Sequence, residues 1–247
     1  MKKQHFIAYI LFLFLHANLL AQSEKNHSIS FGVGYGVFEV RDLFVSPLIY
    51  SGSCLPLDLS YQYNSTNYIH KVEFSYCNGT QRSSVNNLMD GVDISLQYGF
   101  LHHFADLNSI NLFGGINWNN NVSVNEYFIG SSYISGYLYS SLELSLIGKY
   151  KMETNEIKLS LEIPLLSFVI RRYYLYGITT ESQVFGRGKF MTIDEFYGFR
   201  TTLQFEKEIS PYVNIGLKYK LIFHKLAEPF GTTTVKNIFG FYLTVFI

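Results

Sequence analysis

Apolar and aromatic residues recur at every second position over most of the chain after residue 26. In the first such segment, Ile29, Phe31, Val33, Tyr35 and Val37 alternate with serine and glycine. A period of two predicts a β-strand whose two faces meet different surroundings. About ten segments of this kind follow one another, so the pattern predicts an all-β protein of ten strands, with eight or twelve as the alternatives.

The connections between these segments alternate in length. The even-numbered strands are followed by short turns, at 64–67, 105–108, 152–155 and 207–210. The odd-numbered strands are followed by long links, at 39–53, 79–90, 120–134, 172–195 and 226–234. This alternation predicts an antiparallel up-and-down barrel with tight turns at one end and long loops at the other.

Residues 1–21 differ from the rest of the chain. Lys2 and Lys3 precede the apolar run FIAYILFLFL, and Ala21 supplies a small residue before a cleavage site. This order is typical of a secretory signal peptide, and the run is too short for a membrane helix, which needs about 20 apolar residues. We predict that residues 1–21 are removed, with a cut after Ala17 as the alternative, and that residues 22–247 form the barrel.

Composition narrows the surroundings of that barrel. Only 15% of the residues are charged and 17% are aromatic, whereas soluble domains have about 25% charged residues. The formal net charge is zero, and no basic stripe is present of the kind that binds nucleic acid. The composition therefore favours a membrane protein and argues against a nucleic-acid partner.

The polar faces of the predicted strands have as many acidic as basic residues. The acidic members are Asp58, Glu73, Asp93, Glu143, Glu162 and Glu206, and the basic members are Lys71, Lys149, Lys158, Arg200, Lys218 and Lys220. Charges held away from bulk water must be paired. This balance predicts a lumen charge network with the apolar faces pointing out into lipid, and a soluble barrel with an apolar interior is the alternative.

The last segment alternates apolar residues from Phe239 to the end of the chain, where Phe246 precedes Ile247. Together with aromatic residues near both ends of the strands, it resembles the bacterial outer-membrane β-barrel proteins, whose last strand usually ends in an aromatic residue. The resemblance is one of architecture over residues 22–247 and includes no functional motif. It implies a place in the outer membrane of a Gram-negative bacterium, contact with lipid and lipopolysaccharide, and insertion by the barrel-assembly machinery.

The chain has two cysteines, Cys54 and Cys77. If the second and third strands turn about residues 65–66, these cysteines face each other at a Cα separation of about 4.5–5.5 Å, which allows a disulfide. The oxidising periplasm permits such a bond. The alternative is two free thiols in a strand pair of shifted register.

An enzyme of this architecture would need reactive groups at the long-loop end. The ionisable residues there are Asp42, Asp90, Glu181, Asp194, Glu195 and His224. The omptin proteases, which are ten-stranded outer-membrane barrels, use acidic residues with a histidine at this rim, and His224 near Asp194 is the nearest analogue. No omptin motif matches, and a locally hydrogen-bonded histidine is the simpler interpretation, so we predict no catalytic, metal-binding or cofactor-binding residue.

Two of the long links have unusual compositions. The link at 172–195 and the residue before it form a predicted surface-binding loop with the side chains Arg171, Arg172, Tyr173, Tyr174, Tyr176, Arg187 and Lys189. Arginine suits phosphate groups such as those of lipopolysaccharide, and an interfacial aromatic belt with a solvated basic loop is the alternative. The first link contains Leu43, Phe44, Val45 and Leu48, which predicts a lumen plug or a contact with another protein.

These observations predict a non-enzymatic outer-membrane barrel without a cofactor. We expect it to act as a structural or surface-binding component through its extracellular loops. The alternatives are a narrow pore for small solutes and a hydrolase active at the rim.

Overall fold

A computed structural model describes residues 26–43, 45–172, 188–227 and 231–247, and all regular structure in these ranges is β-strand. The strands are β1 (His27–Asp42), β2 (Ser46–Asn64), β3 (Tyr68–Ser83), β4 (Leu88–Leu107), β5 (Ile110–Ile129), β6 (Ser131–Met152), β7 (Asn155–Arg172), β8 (Lys189–Thr192), β9 (Phe196–Ser210), β10 (Val213–Leu226) and β11 (Thr232–Phe246). The described ranges contain no helix long and apolar enough to cross a membrane.

The strands form one closed antiparallel sheet. The first and last strands close it, with paired residues running from Ser28–Phe246 to Asp42–Thr232. Strands β8 and β9 share one position beside β7, because β9 pairs with the first half of β7 and β8 with the second half. The protein is therefore a ten-stranded barrel, which confirms the predicted fold class.

Pro164 explains why one position in the barrel is divided between two strands. The ladder between β7 and β9 ends at the pair Glu162–Arg200, and β7 pairs again from Leu166, now with Thr192 of β8. Proline has no backbone N–H to donate, so Pro164 cannot complete a ladder hydrogen bond at its own position. The barrel wall is irregular at this level for that reason.

Large apolar side chains point away from the barrel axis. Phe31 is 53% exposed, Leu55 is 63% exposed and Phe241 is 62% exposed, whereas side chains of the opposite parity, such as Glu73 and Ser145, are buried. Such a surface suits lipid rather than water, and closure of the sheet leaves no unpaired edge in the membrane. The predicted inside-out arrangement is confirmed.

Aromatic rings form a belt at the end of the barrel with the short turns. Tyr63, Tyr68, His70 and Phe100 lie in successive contact, with ring centroids 6.1, 5.5 and 5.0 Å apart. The Tyr98 hydroxyl is also hydrogen-bonded to the His70 ring at 2.8 Å. Amphipathic rings of this kind favour the boundary between lipid and water.

The strands are longer than the sequence predicts, and three of the predicted long links are wrong. Strands β1 and β2 are separated only by residues 43–45, β3 and β4 only by residues 84–87, and β5 and β6 only by Gly130. Gly130 adopts a φ of 72°, a conformation that glycine accepts without steric cost. Most of the sequence expected to form the first three outer loops is therefore barrel wall.

The cause is an inversion of the hydrophobic pattern within single strands. On β1 the outward residues are apolar as far as Val37, but the next outward residues, Glu39 and Arg41, are polar. Between them, Phe38 and Val40 point inward and are buried. Since the apolar residues change faces, the alternation looks broken although the strand continues.

The short turns agree with prediction at three positions and differ at one. Residues 65–67, 108–109 and 153–154 connect strands near the expected places, whereas residues 207–210 belong to β9 and the turn lies at 211–212. Asn108 and Glu153 have positive φ angles of 55° and 44°, which tight turns commonly require.

Candidate functional site in the barrel lumen

Arg200 on β9 is the centre of one buried ion-pair cluster. Its Nη2 donates to Glu143 Oε2 at 2.8 Å, and its Nε donates to Glu162. The Asn119 amide donates to Glu143 at 2.9 Å, and the Asn117 amide donates to Glu162 at 3.0 Å. Both carboxylates therefore have the charged and polar partners that buried charges require.

A second cluster joins β2 and β3 to β10 across the lumen. Lys218 Nζ lies 3.0 Å from Asp58 Oδ2, and Lys220 Nζ lies 2.8 Å from Glu73 Oε1 and 3.5 Å from Asp58 Oδ2. Lys71 Nζ lies 2.5 Å from Glu73 Oε2. Two carboxylates thus share three ammonium groups and link distant strands.

Asp93 pairs with a cation that the sequence analysis missed. Lys236 Nζ lies 2.8 Å from Asp93 Oδ2, and Asn121 donates to the same carboxylate at 3.0 Å. The sequence predicts the last strand only from Phe239, whereas β11 begins at Thr232. Extending the alternation backward from Phe239 would have placed Lys236 on the lumen face.

The lysines nearest the short turns differ from one another in their partners. Lys158 Nζ lies 2.7 Å from Glu206 Oε1 and 3.1 Å from Glu156 Oε1. Lys149 instead donates to Asn64 Oδ1 at 3.2 Å. Among the described residues, no carboxylate lies within ion-pair distance of Lys149.

Apolar side chains fill the lumen on the long-loop side of these charges. One cluster contains Phe38, Val40, Tyr50, Cys54, Cys77, Met89 and Tyr127. Another contains Tyr139, Val169, Met191, Phe196 and Leu226. Between them and the ion pairs, the cavity beside Arg200 and Lys220 measures about 40 Å³, enough for a few water molecules at roughly 10–15 Å³ each.

A larger space lies at the opposite end of the lumen. This cavity, which we call the vestibule, measures about 520 Å³ and opens beside the turns at 65–66 and 153–154. Its wall includes Lys149 and Lys158 together with the apolar residues Phe113 and Ile147. The lumen is therefore open toward the short turns and densely filled above them.

The register of β2 on β3 differs from the prediction for the cysteines. Cys54 faces Gly79, and Cys77 faces Pro56, so the expected direct opposition of the two cysteines is wrong. The turn is centred one residue later than expected, since the Ser65 N–H donates to the Tyr68 carbonyl at 2.8 Å. The slip of two positions keeps both cysteines on the lumen face as buried, free thiols.

His224 lies inside the lumen, in contact with aromatic rings. Its ring centroid is 5.5 Å from that of Tyr139 and 5.7 Å from that of Phe196, and Nδ1 is 3.5 Å from the Tyr139 hydroxyl. Asp194, its expected neighbour, is an exposed residue between β8 and β9. The hydrogen-bond partner of His224 is thus a tyrosine rather than a carboxylate.

Asp42 and Asp90, two other acidic residues near the long-loop end, are both paired with other side chains, and Glu181 lies outside the described residues. Asp42 is buried, pairs with Arg171 and accepts a hydrogen bond from Ser135 at 2.7 Å. Thr80 donates to Asp90 at 2.6 Å.

Lys189 Nζ lies 2.6 Å from Glu195 Oε1, and this contact lowers the pKa of the exposed Glu195 carboxyl. Because Lys189 favours the ionised form of this carboxyl, the pair stabilises the folded state at neutral pH. This stabilisation is lost as the pH falls through the lowered pKa of Glu195.

The structure describes only part of the predicted surface-binding loop. Arg171 is 3% exposed and points into the lumen, so its expected place at the surface is wrong. Lys189 is exposed. The side chains of Arg172, Tyr173, Tyr174, Tyr176 and Arg187 lie outside the described residues.

The predicted plug is present in another form. Val45 and Leu48 pack against the apolar cluster of the upper lumen, while Leu43 is 46% exposed and Phe44 lies outside the described residues. The plug consists mainly of inward side chains of the strands, because β1 and β2 continue through most of the expected loop.

Comparisons with solved structures agree with this architecture. The outer-membrane protease OmpT of Escherichia coli superimposes with a TM-score of 0.59 at 8% identity, covering 90% of this chain and 97% of that protein. The translocator domain of the autotransporter NalP of Neisseria meningitidis gives a TM-score of 0.51 at 8% identity, covering 100% and 97%.

The fold is that of a bacterial outer-membrane β-barrel. No protein-family model matches the sequence, and no curated protein is significantly similar to it. At 8% identity, each of these two structures resembles this chain in fold alone. The protease activity of OmpT is therefore no evidence about the chemistry of this chain.

Proposed function

We propose that the protein is a non-enzymatic component of the outer membrane with a closed lumen, acting through its surface rather than through a pore. The filled upper lumen carries this proposal. Tyr50, Met89 and Tyr127 are 0% exposed there, and the cavity beside Arg200 and Lys220 measures only about 40 Å³.

The ion pairs support the same proposal on energetic grounds. A path for solutes would have to separate groups such as Arg200 and Glu143, whose side chains are 10% and 4% exposed. Removing one partner from a buried pair typically costs about 3–5 kcal/mol. Opening a path for solutes would therefore require breaking contacts that the buried charges depend on.

The exterior of the upper barrel favours a role at the cell surface. Outward side chains on β1 change from apolar to polar after Val37, and Glu39 and Arg41 are exposed. On β8, the Phe190 side chain is 69% exposed, and its ring centroid lies 4.9 Å from that of Phe168 on β7. Polar and aromatic groups at this level suit lipopolysaccharide or another surface ligand.

Conductance in planar lipid bilayers tests the closed lumen. Folded protein, checked by its shifted mobility in unheated gels, is expected to insert without producing resolved current steps. A general porin in the same bilayer verifies the sensitivity of the measurement. Reproducible steps from the wild-type protein would show a conducting path and reject the proposal in favour of a narrow pore.

Export is the second part of the proposed function. We expect the purified envelope protein to begin at Gln22, as the signal-peptide pattern ending at Ala21 predicts. Intact-mass measurement of protein extracted from outer membranes checks this cut. A mass that retains residues 1–21 would contradict it.

A further inference from the structure

The vestibule contains a lysine whose surroundings differ from those of the other lumen cations. Carboxylates lie within ion-pair distance of Lys71, Lys158, Arg171, Arg200, Lys218, Lys220 and Lys236. Among the described residues, neither Lys149 nor Lys151 has such a partner, and of the two only Lys149 is partly buried while Lys151 is exposed. The Lys149 ammonium group donates to the side-chain amide oxygen Oδ1 of Asn64 at 3.2 Å and lies 4.9 Å from the centroid of the Phe113 ring.

The neighbouring strand makes this ammonium group more attractive to an anion. Lys149 is paired directly with Lys158 of β7, and like charges in opposed positions of a sheet repel. Lys158 is compensated by Glu206 and Glu156 at 2.7 and 3.1 Å. A bound anion would therefore compensate Lys149 without displacing an existing ion pair.

The acidic groups of the vestibule limit what can enter. Glu73 and Glu206 are already paired with Lys71 and Lys158, and Lys218 is paired with Asp58. The wall also includes Lys151, Glu153, Glu156 and Glu208, which brings it to five lysines and five glutamates in all. Because the wall as a whole is neutral, it does not attract a polyanion, and the preference for a single negative charge comes from Lys149 alone.

An apolar surface adjoins Lys149. Ile147 lies two residues before Lys149 on the same face of β6 and is paired with Phe113. Ile69 and Leu101 pack with Phe113 in one cluster. A volume of about 520 Å³ falls within the roughly 300–1,000 Å³ range of small-molecule pockets. The wall thus offers one cation beside a patch of hydrocarbon.

We propose that the vestibule binds a small amphipathic carboxylate from the periplasmic side. The carboxylate accepts a hydrogen bond from the Lys149 ammonium group, and the apolar part of the molecule packs on Phe113 and Ile147. Charge-assisted hydrogen bonds of this kind are stronger than neutral ones. The proposal is independent of the closed lumen, since a sealed and a conducting barrel could both bind at this end.

Titration with 4-bromobenzoate tests the site, using protein in lipid nanodiscs and subtracting the signal of empty nanodiscs. Saturable binding is expected, and neutral 4-bromobenzyl alcohol should bind at least tenfold more weakly. The substitution Lys149→Gln should weaken 4-bromobenzoate binding by at least tenfold, whereas Lys149→Arg should retain most of it. Anomalous diffraction should place the bromine beside Phe113.

Lys225→Gln is the matched control, since Lys225 lies over the Tyr197 ring on the other side of the membrane. It should leave binding unchanged, and gel mobility shows whether each variant is folded. Equal affinity for the acid and the alcohol, no saturable binding, or an equal effect of Lys149→Gln and Lys225→Gln would each overturn the proposal. A conductance result would not affect it.

Discussion

At the scale of single residues, the sequence determines which face a side chain occupies but not which partner it meets. Asp58 and Lys218 are 160 positions apart in the sequence, yet their side chains are in contact across the lumen. Parity along a strand places both of them inside. Pairing across the lumen depends in addition on the height of each residue in the barrel, which is fixed by strand register and tilt.

Lys236 and the two cysteines show two ways in which the sequence analysis failed to identify the contacts of a side chain. Lys236 was missed because its strand begins earlier than the apolar pattern indicates. Cys54 and Cys77 were assigned to the correct face but to a strand register that is wrong by two residues, because such a slip leaves every side chain on the same face. A slip of one residue would have been visible in the hydrophobic pattern.

Replacement of Arg200 is the sharpest test of the lumen network. Arg200→Met removes the cation shared by Glu143 and Glu162, and leaving buried charges unpaired typically costs about 3–5 kcal/mol. We expect the free energy of unfolding to fall by that amount. Urea unfolding in lipid vesicles can be followed by the fluorescence of Trp118, the single tryptophan of the chain.

Lys189→Gln is the matched control, because the pair of Lys189 with Glu195 lies at the surface. Surface ion pairs contribute little to stability, so this variant should unfold at nearly the wild-type urea concentration. Equal effects of the two substitutions would show that the Arg200 pairs do not stabilise the barrel.

At the scale of strands, the sequence predicts the number and order of elements better than their ends. The number of strands followed from the alternation of residues, because an apolar outer face persists over most of the membrane-spanning part of each strand, and the up-and-down order followed from the lengths of the connections. The sequence analysis missed the upper ends of strands where the inward-facing residues are the apolar ones, as Phe38 and Val40 are on β1. Both patterns have the same period of two, and only their phase differs.

This inversion predicts where the membrane ends on β1. In a Cys54→Ser, Cys77→Ser background, Arg41→Cys should react with a polar, membrane-impermeant maleimide on intact cells, whereas Phe31→Cys and Tyr35→Cys should not. The reason is that Arg41 lies above the last outward apolar residue, while Phe31 and Tyr35 face lipid. Mass spectrometry of the purified protein measures the labelled fraction.

Urea-unfolded samples of the same variants supply the control, since all three cysteines should then react equally. Labelling of Phe31→Cys on folded protein to the same extent as Arg41→Cys would place water on the face that we assign to lipid. No labelling at Arg41→Cys would mean that the upper barrel is covered.

At the scale of the whole molecule, three layers succeed one another along the lumen. Apolar clusters fill the end of the barrel where the sequence predicts long loops, ion pairs occupy the middle, and the vestibule opens at the short turns. The composition indicated the middle layer, through its equal numbers of acidic and basic residues. The upper layer was predicted only in part, as a plug formed by the first link, because the inward strand residues that make up most of it resemble the lipid-facing ones in type.

The outer surface gives a last prediction that concerns the barrel as a unit. Side chains such as Phe31, Leu59 and Phe241 expose at least half of their surface around the wall, and apolar area of this extent is unstable in water. The mature chain should therefore remain monomeric in detergent or nanodiscs and aggregate after detergent removal. Sedimentation velocity measures the size of the particles, and circular dichroism measures their strand content. A monomer that stays folded in plain buffer would contradict the membrane-facing assignment of every strand, since the same side chains would then have to tolerate water.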